Sequence, residues 1–256
     1  MFIPLYDTNH LRTIRLQYVT IVLIVLNVAA YLATTIGGED FSNAAVLGLS
    51  FIPSVVNHTA ELAPQFVIIP ENLSYLTYAF LHADIFHLGG NMLFLWVFGD
   101  NVEDALGHYR YLLFYVACAI GGAAFHSLIA PDSQAPLIGA SGAVAGVVVA
   151  YLILYPKVKI WILAFGRIPL RIPAYIPLAL WILVQFTMFA MGGEDQISWA
   201  CHIGGILSGA VLVLLLKRRD VPLSDEAMLS PLPGKAPPRK IPDTVESQPQ
   251  SPWNRS

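Results

Sequence analysis

Leu137-Ile138-Gly139-Ala140-Ser141-Gly142-Ala143-Val144-Ala145-Gly146 opens an apolar stretch that continues without a charge to Tyr155. A helix needs roughly 20 residues to cross ~30 Å of hydrocarbon, so this stretch is long enough to span. It carries a hydroxyl, Ser141, near its start. A second such stretch, Ile197–Leu216, carries His202 close to its own start. Polar and ionisable groups at that depth are costly, and they mark function by default. A hydroxyl nucleophile and a proton acceptor inside two spans point to a serine hydrolase working below the membrane surface.

The composition agrees. The chain has 256 residues, 56% of them hydrophobic and only 12% charged, against about 25% charged in a soluble domain. Six apolar stretches are long enough to span: Leu16–Ile36, Tyr78–Gly99, Tyr111–Ala130, Leu137–Tyr155, Ile172–Met191 and Ile197–Leu216. The second is the weakest by hydropathy, because His82, Asp84, His87 and Asn91 crowd its first half. The expected fold is all-α, a polytopic membrane bundle of six transmembrane helices over residues 16–216.

Charge placement fixes the orientation. All 14 Lys and Arg fall on one side: Arg12 and Arg15, then Arg110, then Lys157, Lys159, Arg167 and Arg171, then the residues after the sixth span. The opposite loops hold no Lys or Arg but eight acids, among them Glu39, Glu61, Asp84, Asp132 and Glu194. The positive-inside rule then puts residues 1–15 and the C-terminal segment in the cytoplasm, and a five- or seven-span model would break the segregation. These basic residues are topogenic and make no nucleic-acid patch. The first span is too long for a signal-peptide core and is followed by five more, so it reads as retained. Cys118 and Cys201 both fall inside spans and read as small apolar core residues, without a metal-binding spacing.

Residues 37–77 form a long outer loop that is unusually apolar, with Phe51-Ile52 and Phe66-Val67-Ile68-Ile69. It reads as lying partly in the outer interface or capping the helix ends. Residues 217–256 form a cytoplasmic tail. Eight prolines in the last 36 residues, with Ser, Gln and charges between them, predict disorder.

With a cytoplasmic N-terminus, the second, fourth and sixth spans all start on the outer side. His82, His87 and Asn91 then lie in the outer half of the second span. Ser141 lies near 6 Å and His202 near 7–8 Å deep, at ~1.5 Å per residue. Gly142 and Gly146 are four apart directly after Ser141, and Gly205 and Gly209 are four apart on the helix of His202. Small residues at that spacing let membrane helices pack backbone to backbone, so the fourth and sixth spans should touch along these glycines.

The chemistry needs Ser141 within reach of a base, His202, and donors arranged around the substrate oxyanion. His87 and Asn91 are four apart and share a helix face. With the Ser141 N–H they could supply those donors. Asp84 is the nearest acid, and it sits at the surface. A Ser141–His202 dyad is therefore expected rather than a triad, without the tautomer-fixing help of a carboxylate.

These residues resemble the rhomboid intramembrane serine proteases. The similarity covers residues 75–216 through His87-Leu88-Gly89-Gly90-Asn91, Phe98-Gly99-Asp100-Asn101-Val102-Glu103, Gly139-Ala140-Ser141-Gly142-Ala143, and Ala200-Cys201-His202-Ile203-Gly204-Gly205 with Gly209. The resemblance implies Ser141 as nucleophile, His202 as general base, His87 and Asn91 at the oxyanion hole, and a structural role for Glu103. It implies an intramembrane endopeptidase acting on transmembrane protein substrates in the lipid bilayer, with no cofactor or metal. The expected location is a bacterial or archaeal plasma membrane, with the site near the outer face and water entering by a polar mouth at His82 and His87. Two positions depart from the family. Its first-loop Trp-x-Arg-like motif is replaced by Asn72-Leu73-Ser74-Tyr75-Leu76-Thr77, and an aromatic residue four after the nucleophile is replaced by Ala145.

Two other functions compete. An inactive relative that escorts membrane proteins should have lost Ser141 or His202, and both are present. A transporter with a histidine proton relay usually shows repeated halves, and none is visible. Other intramembrane protease chemistries lack their residues: there is no His-Glu-x-x-His for zinc, and Asp100 has no partner for a paired-carboxylate mechanism.

Overall fold

The computed structural model describes residues 2–192 and 198–223. Nine α-helices are formed among the described residues: α1 Tyr18–Ile36, α2 Gly38–Leu49, α3 Pro53–Val56, α4 Ser74–Thr77, α5 Ile85–Leu106, α6 His108–Ile129, α7 Ser141–Leu154, α8 Tyr175–Ala190 and α9 Trp199–Leu216. Helices α1, α5, α6, α7, α8 and α9 fall on the six apolar stretches. Of these, α1, α6 and α9 are long and apolar enough to cross a membrane, while α7 and α8 are shorter apolar helices. The tail beyond residue 223, Glu194 and Asp195 lie outside the described residues.

The all-α expectation needs correcting. Three strands, β1 Phe2–Asp7, β2 Lys159–Ala164 and β3 Ile168–Pro173, form an antiparallel sheet in the order β1-β2-β3. The β2–β3 hairpin turns at Phe165 and Gly166, both with positive φ of 50° and 68°. That geometry matches the right-handed twist of the strands and suits glycine. The N-terminal segment, expected as a plain cytoplasmic end, supplies the edge strand. Tyr6 stacks on Trp161 at 6.2 Å, and Phe2 meets Phe94 of α5 at 5.8 Å.

The second span is also corrected. The helix runs Ile85–Leu106, displaced by seven residues from the apolar stretch. Asp84 sets its start: the carboxylate accepts from Phe86 N at 2.7 Å and His87 N at 2.9 Å, satisfying donors that the helix itself cannot. His82 consequently lies before the helix, not inside it. At the other end the helix runs on through acids that have work to do. Glu103 accepts from Val19 N, Thr20 N and Thr20 Oγ1, and it pairs with His108. It thereby caps α1, where a carboxylate suits the positive helix end. Asp104 accepts from the backbone of Arg12, Thr13 and Ile14.

The outer segment 37–77 folds into α2, α3, α4 and 3-10 turns at Pro64–Phe66 and Glu71–Leu73. In place of the family's arginine motif it is held by neutral contacts. Phe51 and Leu137 exchange backbone hydrogen bonds at 3.1 and 2.8 Å, Thr77 Oγ1 donates to Leu49 O at 2.6 Å, and Phe51 packs on Tyr75 at 4.6 Å. The main core runs between α5, α6 and α7 around Leu95, Phe98, Tyr111, Tyr115 and Tyr151, all fully buried. Cys118 and Cys201 are both free thiols in it.

Candidate active site

Ser141 is the first residue of α7, not the fifth of a helix begun at Leu137. The four residues before it are non-helical, and protein groups satisfy their backbone. Leu137 pairs with Phe51, and Gly139 N donates to Tyr78 O at 3.0 Å. Such backbone is tolerated at membrane depth only where it is enclosed by protein. Gly139 is required twice over. Its φ is +116°, and a Cβ there would stand 2.6 Å from His87 Nε2. The same point is 3.8 Å from Ser141 Oγ, so His87 and Ser141 flank one small space.

The first intrahelical bond of α7 runs from Val144 N to Ala140 O. The N–H groups of Ser141, Gly142 and Ala143 thus precede the α-helical ladder, at the positive end of the helix.

At Gly205 and Gly209 the backbones of α7 and α9 meet without side chains between them. A Cβ on Gly205 would overlap Gly142 O, and one on Gly209 would lie 2.6 Å from Gly146 Cα. A Cβ on Gly142 would lie 2.7 Å from Cys201 Sγ. The neighbour of Ser141 therefore rests on the neighbour of His202. Backbone contact thus brings the start of α7 against the start of α9, and among the described residues no hydrogen bond joins the Ser141 and His202 side chains.

His202, the fourth residue of α9, is 8% exposed. Its Nδ1 lies 2.7 Å from Gln185 Oε1 on α8. Its ring is stacked on Trp181 at 6.3 Å and 29°, and meets Trp199 edge-on at 5.8 Å and 90°. The aromatic residue absent at Ala145 is thus supplied from another helix. Ala145 belongs to a small buried cluster with Val149, Ile203 and Ile206, and Trp181 packs against it.

His87 is half-buried on the first turn of α5, and Asn91 is buried one turn on. Asn91 Nδ2 is 3.1 Å from His82 Nε2, and His82 meets His87 edge-on at 5.0 Å. His82 is itself buried. The expected polar mouth at His82 is therefore corrected: its ring holds Asn91 instead of lining an opening. The signal was present in the sequence, since His82 and Asn91 are two buried-type polar residues nine apart, but the helix start at Asp84 was needed to make them meet. Gln185, Trp181 and Trp199 were missed outright. A single amide in an apolar run carries no periodic signal.

Comparison with known proteins identifies the family. The family model for the Rhomboid domain matches residues 70–219. The chain is 29% identical over 180 residues to Rhomboid protein 1, mitochondrial, of Saccharomyces cerevisiae, covering 66% of this chain and 49% of that protein. It is 30% identical over 161 residues to human Rhomboid-related protein 3, covering 60% and 39%. It is 28% identical over 163 residues to Rhomboid-type serine protease 2 of Emericella nidulans, covering 60% and 29%. The chain thus spans half or less of the length of these relatives. The yeast relative is named mitochondrial, and nothing here supports the bacterial or archaeal plasma membrane expected from sequence.

Proposed function

The chain belongs to the rhomboid family, and from that premise we propose that it is an intramembrane serine endopeptidase in which Ser141 is the nucleophile and His202 the general base. The observation that carries this is the glycine seam. Gly142 against Cys201 and Gly205 supports bringing Ser141 to His202, and Gln185 lies at the other nitrogen of the His202 ring.

In the reaction, His202 Nε2 takes the Ser141 proton as Oγ attacks the scissile carbonyl and gives it to the leaving amine as the C–N bond breaks. Water, deprotonated by the same nitrogen, then hydrolyses the acyl-enzyme, and the proton returns to Ser141. The Ser141–His202 hydrogen bond forms when substrate closes the site, as catalytic bonds complete themselves in working complexes. The oxyanion faces the Ser141 N–H at the start of α7, together with His87 and Asn91. The placement of the basic residues supports six spans with the site toward the outer face. The length of α7 agrees: 14 residues make a helix of about 21 Å, short of the ~30 Å hydrocarbon, so an end of it is submerged.

Substrates are transmembrane segments that must unwind locally. Freed backbone groups are costly in lipid, so small residues at the cut and Gly or Pro nearby favour cleavage.

The test is cleavage of a model transmembrane substrate by purified protein in vesicles. Ser141→Ala should abolish cutting while the thermal transition is kept, and a cutting variant removes Ser141 from the reaction. Asn91→Ala should slow turnover by roughly 10–1000-fold. Reaction of Ser141 with a fluorophosphonate separates a protease from an inactive escort protein.

A further inference from the structure

Gln185 is the one buried polar side chain of α8, 3% exposed in an otherwise apolar helix. An amide in such a place costs free energy unless both of its ends are partnered. Both are. Nε2 donates to Trp181 O at 3.1 Å, and Oε1 lies 2.7 Å from His202 Nδ1.

The first contact orients the second. A backbone carbonyl only accepts, so the amide nitrogen faces Trp181 and the oxygen is turned to the imidazole. An amide oxygen also only accepts, so the proton between them belongs to Nδ1. A neutral imidazole protonated at Nδ1 carries its lone pair on Nε2. Trp181 and Trp199 confine the ring, but the two tautomers have the same shape, so packing cannot choose between them. Only the hydrogen bond can.

We propose that Gln185 is a positioning residue that holds His202 as the Nδ1–H tautomer and leaves Nε2 free to accept the Ser141 proton. This rests on the hydrolase reading of the same site. The serine–histidine pair thereby gains an orienting third member that sequence alone did not supply. In a Ser-His-Asp triad a carboxylate does this work. An ionised carboxylate in an apolar helix is expensive, whereas an amide selects the tautomer without introducing a charge. Because Gln185 rides on α8, displacing that helix would release the imidazole.

The test uses the full chain in bilayers, with 15N-labelled histidine and the His202 resonance assigned by its loss in His202→Ala. The wild-type ring should be protonated at Nδ1. Gln185→Met keeps the length of the side chain but cannot accept strongly. It should give mixed tautomers and slow fluorophosphonate labelling of Ser141 by roughly 10–100-fold, the usual cost of losing an orienting partner, with the thermal transition retained. Gln185→Glu, at alkaline pH where the carboxylate is ionised, should restore both the Nδ1 proton and the labelling.

A wild-type ring protonated at Nε2 overturns the proposal, and so does Gln185→Met with an unchanged tautomer or an unchanged labelling rate. If Gln185→Met does not fold, the wild-type spectrum decides. If Ser141 of the wild type is never labelled, the protease reading fails, and the spectra still judge Gln185.

Discussion

Helices α7 and α8 are consecutive, alike in length at 14 and 16 residues, and both apolar, yet their packing differs sharply. Eleven residues of α7 are buried, but only Pro177, Leu178 and Gln185 of α8 are. The cause is side-chain size. Helix α7 offers Gly142, Ala143, Ala145, Gly146 and Ala150, so other backbones can approach it. Helix α8 offers Leu180, Trp181, Leu183, Phe186 and Phe189, which hold neighbours off. In lipid no hydrophobic force drives bulky helices together, so close packing falls to small residues. Ser141, the proposed nucleophile, therefore sits on the more enclosed of the two helices, and Gln185, proposed to orient His202, sits on the loosely held one.

The comparison breaks most visibly at the seam. Gly205→Ala places a methyl where Gly142 O already is, and the obstacle is backbone, not the end of a flexible side chain. Overpacking of this kind costs about 3 kcal/mol or more. Labelling of Ser141 should be lost, and the thermal transition should fall by several degrees or disappear. A variant that labels at the wild-type rate would show that the seam does not set the Ser141–His202 geometry.

A second expectation sharpens the comparison from the C-terminal end of α7. Tyr151 OH donates to Asp7 Oδ2 at 2.6 Å, and Asn101 Nδ2 reaches the same oxygen at 3.0 Å, so β1 is fastened to the enclosed helix. Burial pushes the Asp7 carboxyl up from 3.8 to about 6, and the Tyr151 hydrogen bond only partly offsets this. A folded-state value above the unfolded one means that the folded chain holds this proton longer. Stability from this group is therefore greatest below about pH 4 and falls as pH rises through about 6, by up to roughly 2–3 kcal/mol. Melting temperature against pH should show that fall in the wild type and a shallower one in Asp7→Asn, where the buried Asp100 carboxyl that faces Asp7 remains. An equal slope in both would assign it to another group.

Much of this was legible in the sequence, and the gaps have physical reasons. Helices formed on all six apolar stretches because hydropathy and basic-residue placement report long segments. The serine and histidine stood out because polar groups in such segments are rare. The start of α5 was misplaced because hydropathy cannot see a cap, and the Asp84 carboxylate outweighs the apolar residues before it. The sheet was hidden for two reasons. Its edge strand Phe2–Asp7 pairs with Lys159–Ala164 across more than 150 residues, and the basic residues of 157–171 were read for topology, not for alternation. Gln185 was hidden by its own neighbours, since one amide barely lowers the hydropathy of α8.

The smallest expected effect lies on the outer face of α8. Leu183 is 60% exposed, and lipid tails are as apolar as the side chain they touch. Truncating it creates no enclosed cavity, and alanine is the better helix former. Leu183→Ala should therefore change stability by no more than about 0.5 kcal/mol, and Ser141 should be labelled at the wild-type rate. The hydrogen bond that the Thr187 hydroxyl donates to Leu183 O at 2.9 Å does not depend on the Leu183 side chain. A loss of about 2 kcal/mol or more would mean that α8 is packed against another surface in the bilayer, a second copy of the chain included. The contrast between an enclosed α7 and a free α8 would then hold only for the single chain.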